Sequence, residues 1–177
     1  MTITNLKKEH PLDQKSRTAV LGLGNVLLRD EGAGVSVINA LTSEFVFSPP
    51  ILLLDGGTLG FSLINEIQDC ARLIIIDAVK AGGAPGTLYR FTHNDVETKI
   101  SPVLSAHDIG FMEVLQQWQL AGVSPEIVFF GIEPEDMSSW GTELTPTIQA
   151  KIPRLVELVL QELHDLGIQS QPAIHQV

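Results

Sequence analysis

The sequence has 177 residues, 44% of them hydrophobic and 18% charged, which is the size and composition of one globular domain with a sizeable core. Its formal net charge of -10 argues against binding to nucleic acid through a basic surface. The single cysteine, Cys70, excludes an internal disulfide, and no apolar run of a secretory signal follows the N-terminal lysines. No stretch approaches the roughly 20 apolar residues of a membrane span, so we expect a cytoplasmic protein that does not enter a membrane.

The predicted elements alternate between strands and helices. In chain order the apolar patterns predict a strand at 18–24, a helix at 32–42, a strand at 51–54, a helix at 61–67, strands at 73–76 and 87–91, a helix at 110–120 and a strand at 126–132. Continuous apolar strands that alternate with helices form mainly parallel sheets covered on both faces. The sequence therefore predicts an α/β fold, a three-layer αβα sandwich. It forms a single domain at 18–167, between a flexible lead at 1–17 and a polar tail at 168–177.

A long amphipathic helix is predicted to close the domain. Thr145 suits the N-cap and Pro146 the first helical position. Pro153 falls inside the apolar stripe, so we expect a bend there, and Gly167 is expected to end the helix. The tail beyond Gly167 is expected to be loose.

Acidic side chains follow two of the predicted strands. Glu31, beside Asp30, comes after the first strand, and Asp77 comes directly after the third. A structural role is the alternative for each: the adjacent pair would stabilise a helix N-terminus, and Asp77 would accept hydrogen bonds within a turn. Because an unpartnered buried carboxylate is costly, a metal or a substrate is a good candidate partner for Asp77.

One histidine, His107, precedes the predicted helix at 110–120. Its alternative role is a histidine satisfied by a loop carbonyl. With Glu31 and Asp77 it makes a set of two carboxylates and one imidazole, which suits a divalent metal that keeps positions for water or substrate. Cys70 has no histidine near it in sequence and is predicted to be a buried filler, not a nucleophile. The residues alone thus predict a metal-binding αβα domain, with hydrolysis as one option.

Two glycine-rich segments follow predicted strands. Gly22-Leu-Gly24 begins like a dinucleotide fingerprint, but Leu27 stands where the third glycine would let the helix pack closely, which argues against a nucleotide-dependent oxidoreductase. Asp55-Gly56-Gly57-Thr58 forms either a turn with a helix cap or a stretch where a ligand approaches the main chain.

Six segments, in order, resemble the hydrogenase maturation endopeptidases. They are residues 22–34, 55–58, 76–78, 107–110, 131–134 and 144–147, and the resemblance covers roughly residues 18–167. It implies a twisted five-stranded sheet between helices. It also implies an endopeptidase that removes a C-terminal extension from the large-subunit precursor of a nickel-iron hydrogenase once nickel has been inserted.

The resemblance also implies roles for individual residues. The catalytic and metal-recognising residues would be Glu31, Asp77 and His107. The substrate cleft would be lined by Asp55, Gly56, Gly57 and Thr58. Nickel would arrive with the precursor, and no organic cofactor is implied.

Three further points stay open at the level of sequence. A non-cutting nickel-sensing chaperone would use the same ligands and is the main alternative to a protease. We expect a monomer, because no long exposed apolar stripe remains once the helices cover the sheet. Glu133 stands where some members of the family have an apolar residue, and it either reaches the site or faces solvent.

Overall fold

The computed structural model describes residues 17–57, 67, 69–92, 95 and 125–174. Its elements in chain order are β1 (Thr18–Leu23), a 3-10 turn (Arg29–Gly32), α1 (Ala33–Glu44), β2 (Phe45–Ser48), β3 (Leu52–Gly57), β4 (Arg72–Ala78), β5 (Leu88–Thr92), β6 (Glu126–Ile132), α2 (Pro146–Gln149), α3 (Ile152–Asp165) and β7 (Gln169–Pro172). The predicted helices at 61–67 and 110–120 lie outside these residues, apart from Ile67, which is buried.

Five strands form the main sheet, in the order β3-β1-β4-β6-β5. The pairs β1–β3, β1–β4 and β4–β6 are parallel, and only the edge strand β5 runs antiparallel to its neighbour β6. Helices flank this sheet, which confirms the predicted αβα fold around a mainly parallel five-stranded sheet. The continuous apolar runs are explained by this position, because central strands of a parallel sheet are buried on both faces.

Side chains of the central strands alternate between two cores. Val20, Ile74 and Phe130 belong to the core that includes α1 and α3. Leu21 and Ile75 belong to the core on the opposite face, which includes Ile67 and Cys70. Full burial of one such aliphatic side chain stabilises the fold by about 1.5–3 kcal/mol, so both faces of the sheet contribute. The period of two along β4 puts Asp77 on the same face as Ile75.

Two glycines allow α1 to approach the sheet closely. A Cβ on Gly22 would lie 2.3 Å from the carbonyl oxygen of Gly34, and a Cβ on Gly34 would lie 2.3 Å from that of Ile76. Such distances are too short for any side chain, so glycine is required at both positions by contact. The close contact between helix and strand is therefore made at Gly34, and Leu27 in the preceding loop does not prevent it.

Two boundaries differ from the sequence expectations. The strand predicted at 51–54 continues through Gly57, because parallel pairing with β1 extends to the Leu23–Gly57 pair across an irregularity in register. The single bent helix predicted after Thr145 is two helices, α2 and α3, and Pro153 lies in the first turn of α3, where proline is tolerated.

The expectation of a loose tail after Gly167 was wrong for residues 169–172. These residues form β7, which pairs antiparallel with β2 in a separate two-stranded sheet. Gly167 does end α3, with a φ of 81° that a glycine adopts without strain. Within the described residues, none of the helices combines the length and the apolar character needed to cross a bilayer.

Candidate active site

The candidate site lies at the carboxyl edge of the sheet, where the chain changes direction. From β1 the chain adds β3 on one side, and then returns to place β4 on the other side of β1. Ligands of open α/β sheets bind in the crevice at such a switch point. Gly24 directly follows β1 at this position, and its amide donates to the carbonyl of Gly57 at the end of β3 (3.1 Å).

Gly24 lies against the backbone of Glu31 and near the carboxylate of Asp77. A Cβ on this residue would lie 1.7 Å from the carbonyl oxygen of Glu31 and 3.6 Å from Oδ1 of Asp77. Its φ of 121° is also a conformation that other residues rarely adopt. Glu31 and Asp77 are both buried, with 6% and 2% of their surface exposed. The 3-10 turn that carries Glu31 contacts β4, the strand that carries Asp77.

Asp77 is fixed by its own strand. It is still part of β4, not of the turn after it, and it pairs with Gly131 of β6. One carboxylate oxygen, Oδ1, accepts a hydrogen bond from the amide of Ala78 (2.7 Å). A buried strand end therefore holds this carboxylate in a set orientation beside Gly24.

The neighbouring carboxylate of Asp30 has a different function from Glu31. Asp30 is fully buried. Its Oδ2 accepts from the amides of Glu135 (3.0 Å) and Asp136 (2.8 Å), and from the hydroxyl of Thr145 (3.0 Å). Its Oδ1 accepts from the amide of Thr145 (2.7 Å). Asp30 therefore fastens the turn that carries Glu31 to the segment between β6 and α2.

The sequence offered a structural role for Asp30 and Glu31 at a helix N-terminus, and the structure shows a different structural role for Asp30. Asp30 is a structural residue, but it holds a loop more than 100 positions away instead of acting on the start of α1. Thr145 is at the N-cap of α2 as predicted, yet its hydroxyl donates to Asp30 and makes no side-chain cap. The sequence could not predict this contact, because nothing local marks which of two adjacent acidic residues binds a segment more than 100 positions away.

A second set of contacts strengthens the same attachment. Leu28 and Gly141 form a parallel bridge, in which the amide of Arg29 donates to the carbonyl of Gly141 (2.9 Å). The amide of Gly141 donates to the carbonyl of Leu27 (3.0 Å). Arg29 has a φ of 50° and pairs with Asp136 (3.4 Å). Hydrogen bonds from Ser139 and Ser138 hold the pKa of Asp136 well below its usual range, so it is ionised near neutral pH.

Asp55 and its glycines form the other side of the crevice. Asp55 is exposed, and its Oδ1 accepts from the amide of Gly57 (2.9 Å). Because that amide is already engaged, it is not an available oxyanion donor in this conformation. Gly56 packs against β1, where a Cβ would lie 2.8 Å from the Leu23 side chain.

Glu133 is buried beneath the glycine-rich loop that follows β4. Its carboxylate accepts from the amides of Ala81 (2.8 Å), Gly82 (3.2 Å) and Gly83 (3.2 Å), and from the hydroxyl of Tyr89 (2.8 Å). Burial alone would raise the pKa of Glu133, but these hydrogen bonds outweigh it and the pKa lies below its ordinary value. Of the two alternatives for Glu133, the one in which it faces solvent is wrong: the residue is buried, and the hydrogen bonds of its side chain hold the loop 81–83 and Tyr89 of β5.

Two of the predicted site residues, His107 and Thr58, lie outside the described residues. Among the residues that the structure does describe, no group of three His, Cys, Asp or Glu side chains is placed to hold a metal. The structure thus places Glu31 and Asp77 next to the same residue, Gly24, while the role of these two residues and of His107 as metal ligands stays a prediction. Cys70 is buried and burial raises the pKa of its thiol, in agreement with an inert filler.

The fold and the site together define a class: an αβα domain with two buried carboxylates at the switch point of a mainly parallel sheet. The sequence model of the hydrogenase maturation protease family matches residues 35–162. The hydrogenase 2 maturation protease of Escherichia coli K12 is 35% identical over 163 residues, which cover 90% of this chain and 99% of that protein. The chain belongs to the hydrogenase maturation protease family.

Other relatives agree with this placement. The hydrogenase expression/formation protein HoxM of Cupriavidus necator is 39% identical over 140 residues, which cover 77% of this chain and 69% of that protein. Among solved structures, the hydrogenase maturating endopeptidase HybD from E. coli superposes with a TM-score of 0.83 at 34% identity, covering 88% of this chain and 97% of that one. The HybD protease from Thermococcus kodakarensis gives a TM-score of 0.71 at 28% identity, covering 82% and 98%.

Proposed function

We propose that this protein is an endopeptidase that removes the C-terminal extension from the large-subunit precursor of a nickel-iron hydrogenase after nickel has entered the precursor. The observation that carries the proposal is the presence of two buried acidic residues, Glu31 and Asp77, both next to Gly24 at the switch point of a hydrogenase maturation protease fold. A cytoplasmic location and a monomeric state are part of the same proposal.

The chemistry of the pair supports recognition of a metal that arrives with the substrate. Two carboxylates and the imidazole of His107 would suit a borderline divalent ion such as nickel. Both carboxylates are buried, so their affinity for a cation is not weakened by full solvation. In this proposal Glu31, Asp77 and His107 dock the nickel centre and thereby place the scissile peptide in the crevice.

The hydrolytic step needs a water molecule next to the scissile carbonyl. One carboxylate of the pair would take the proton from this water as it attacks, and would return it to the leaving amine. The water's oxygen forms the new bond to carbon, and the C–N bond breaks. Asp55, Gly56, Gly57 and Thr58 would line the crevice on the β3 side and contact the extended chain of the precursor.

The test mixes the purified protein with the large-subunit precursor of the same organism, once loaded with nickel and once without it. Intact mass reports the length of each product. We expect shortening only of the nickel-loaded precursor. Shortening of both samples would contradict the role of nickel, and no shortening of either, in a confirmed complex, would favour the non-cutting chaperone.

Variants of the site separate chemistry from folding. We expect Glu31→Ala, Asp77→Ala and His107→Ala each to slow processing by at least about 100-fold, the usual contribution of a positioned acid or base. Glu135→Gln removes an exposed carboxylate from the neighbouring segment and serves as the matched control. Far-UV circular dichroism checks that each variant is folded. Normal processing by all three site variants would refute the assignment.

A further inference from the structure

An exposed apolar patch lies beside the candidate site. Among the described residues, five large hydrophobic side chains are exposed. Three of them form the apolar rim, defined here as Val26 (44% exposed), Leu27 (49%) and Trp140 (81%). A tryptophan side chain is rarely left this exposed to water unless it binds a partner. Tryptophan is also enriched in the centres of protein interfaces.

The backbone places two members of the apolar rim, Leu27 and Trp140, side by side. The parallel bridge joins Leu28 to Gly141, so the residues just before them, Leu27 and Trp140, are neighbours in the same register. The hydrogen bond from the Gly141 amide to the Leu27 carbonyl (3.0 Å) fixes this arrangement. Asn25 accepts from the Leu27 amide (3.0 Å) and restrains the loop from its other end.

The apolar rim is continuous with the crevice. Val26 and Leu27 lie between Gly24, which is next to Asp77, and the 3-10 turn that holds Glu31. Val26 also packs over that turn, since a Cβ on Gly32 would lie 3.1 Å from the Cα of Val26. A polypeptide chain bound in the crevice would therefore reach the apolar rim within a few residues.

The charges near the rim favour an apolar partner. Arg29 lies in the bridge next to Leu28, but its guanidinium pairs with Asp136 (3.4 Å) and also donates to the carbonyl of Glu143 (3.5 Å). This cation is locally neutralised, so it offers little attraction to an acidic segment. The loops are also held by Asp30, so docking would cost little ordering entropy.

We propose that the apolar rim is the docking surface for an apolar segment of the hydrogenase precursor, next to the segment that is cut. This inference rests on the proposed function and adds to it a place and a chemistry for recognition. Val26, Leu27 and Trp140 act in binding and take no part in the hydrolysis. Their loss should therefore weaken binding of the precursor and leave the maximal rate of the bound complex nearly unchanged.

The experiment compares Trp140→Ala and Leu27→Ser with Ile174→Ala. Ile174 is 90% exposed and is a matched control, because the amide of its neighbour Ala173 donates to the carbonyl of Glu44 at the far end of α1. The length of α1 separates that end from the site by about 18 Å. Titration of nickel-loaded precursor gives the Kd, and initial rates from intact mass give KM and kcat.

We expect the Kd to rise about thirtyfold for Trp140→Ala and about tenfold for Leu27→Ser, as for residues at the centre of an interface. The control should bind like the unchanged protein, and kcat at saturation should fall less than about threefold in all variants. The unfolding midpoint should stay unchanged for Trp140→Ala, because the side chain is exposed. An unchanged Kd in both rim variants would overturn the proposal.

The two proposals fail in different ways. If the unchanged protein cuts the precursor and the rim variants bind it normally, the docking surface is wrong and the proposed function stands. If the unchanged protein binds the precursor without cutting it, the proposed function fails. The Kd values of the rim variants still show whether the apolar rim is the docking surface. Acrylamide quenching of Trp140 in the free protein, measured against Trp140→Phe, adds a check: protection that grows with protein concentration would assign the rim to a second copy and overturn the proposal.

Discussion

Asp30 offers a sharp test of how the site is supported, because its four hydrogen bonds all cross from the 3-10 turn to the segment between β6 and α2. We consider Asp30→Asn, which keeps the size of the side chain and removes its charge. Three donors converge on Oδ2, from Glu135, Asp136 and the hydroxyl of Thr145, and one amide points at Oδ1. The asparagine carbonyl should therefore take the Oδ2 position, which leaves its NH2 group facing the amide of Thr145.

The expected cost follows from this geometry. One buried donor, the amide of Thr145, loses its acceptor, which costs about 1–3 kcal/mol. The other three hydrogen bonds lose the assistance of a negative charge, which is worth about 1 kcal/mol each but is not additive. We expect Asp30→Asn to lower the free energy of unfolding by about 3 kcal/mol. For a chain of this size the unfolding midpoint should then fall by about 6–12 °C.

The assay is thermal unfolding by circular dichroism, with Glu135→Gln as control because it removes a side-chain charge from the same segment and keeps the backbone amide that donates to Asp30. Processing should also slow in Asp30→Asn at temperatures where it is folded, since Glu31 is in the turn that Asp30 holds. An unfolding midpoint within about 2 °C of the control would refute the role of Asp30, because even one unsatisfied buried amide should cost more.

Two other perturbations test residues close to the candidate site, Glu133 and Gly24. For Glu133→Gln we expect a loss of about 2 kcal/mol between pH 6 and 8, because a glutamine amide cannot accept from every donor that surrounds Glu133. Folding lowers the pKa of Glu133, so its contribution to the free energy of unfolding is complete above about pH 4.3 and is lost as the pH falls through the pKa of the folded state. Urea unfolding should therefore show the stabilities of the two proteins converging below about pH 4. A difference in stability that stays constant with pH would contradict this reasoning. For Gly24→Ala we expect a loss of more than about 4 kcal/mol and no processing, because the new Cβ would overlap the Glu31 carbonyl. Gly82→Ala is the control, since its φ of 85° is equally unusual but its Cβ would meet nothing within 4 Å, so it should cost only about 1–2 kcal/mol.

The sequence by itself determined the class of fold and the edge of the sheet at which to look. Continuous apolar runs such as the one from Leu73 to Ile76 are strong signals, because a strand buried on both faces admits few polar residues. A carboxylate directly after such a run, such as Asp77, must lie at the carboxyl edge, and Glu31 was named with it because it follows the first strand in the loop before the next helix. The presence of six short segments in the family's order predicted membership of the hydrogenase maturation protease family.

Tertiary structure alone decided what each acidic residue does. Asp30 and Glu31 are adjacent and chemically alike, and only contacts with residues 135–145 reveal that Asp30 is held by that segment. Glu133 likewise gains its partners from a loop about 50 positions earlier in the chain. Residues 169–172 become a strand because β2 pairs with them, although their own pattern is polar. The spacing of hydrophobic residues shows which face of a helix or strand is buried. A hydrogen bond to a residue far along the chain produces no such pattern in the sequence, so only the folded structure identifies the partner.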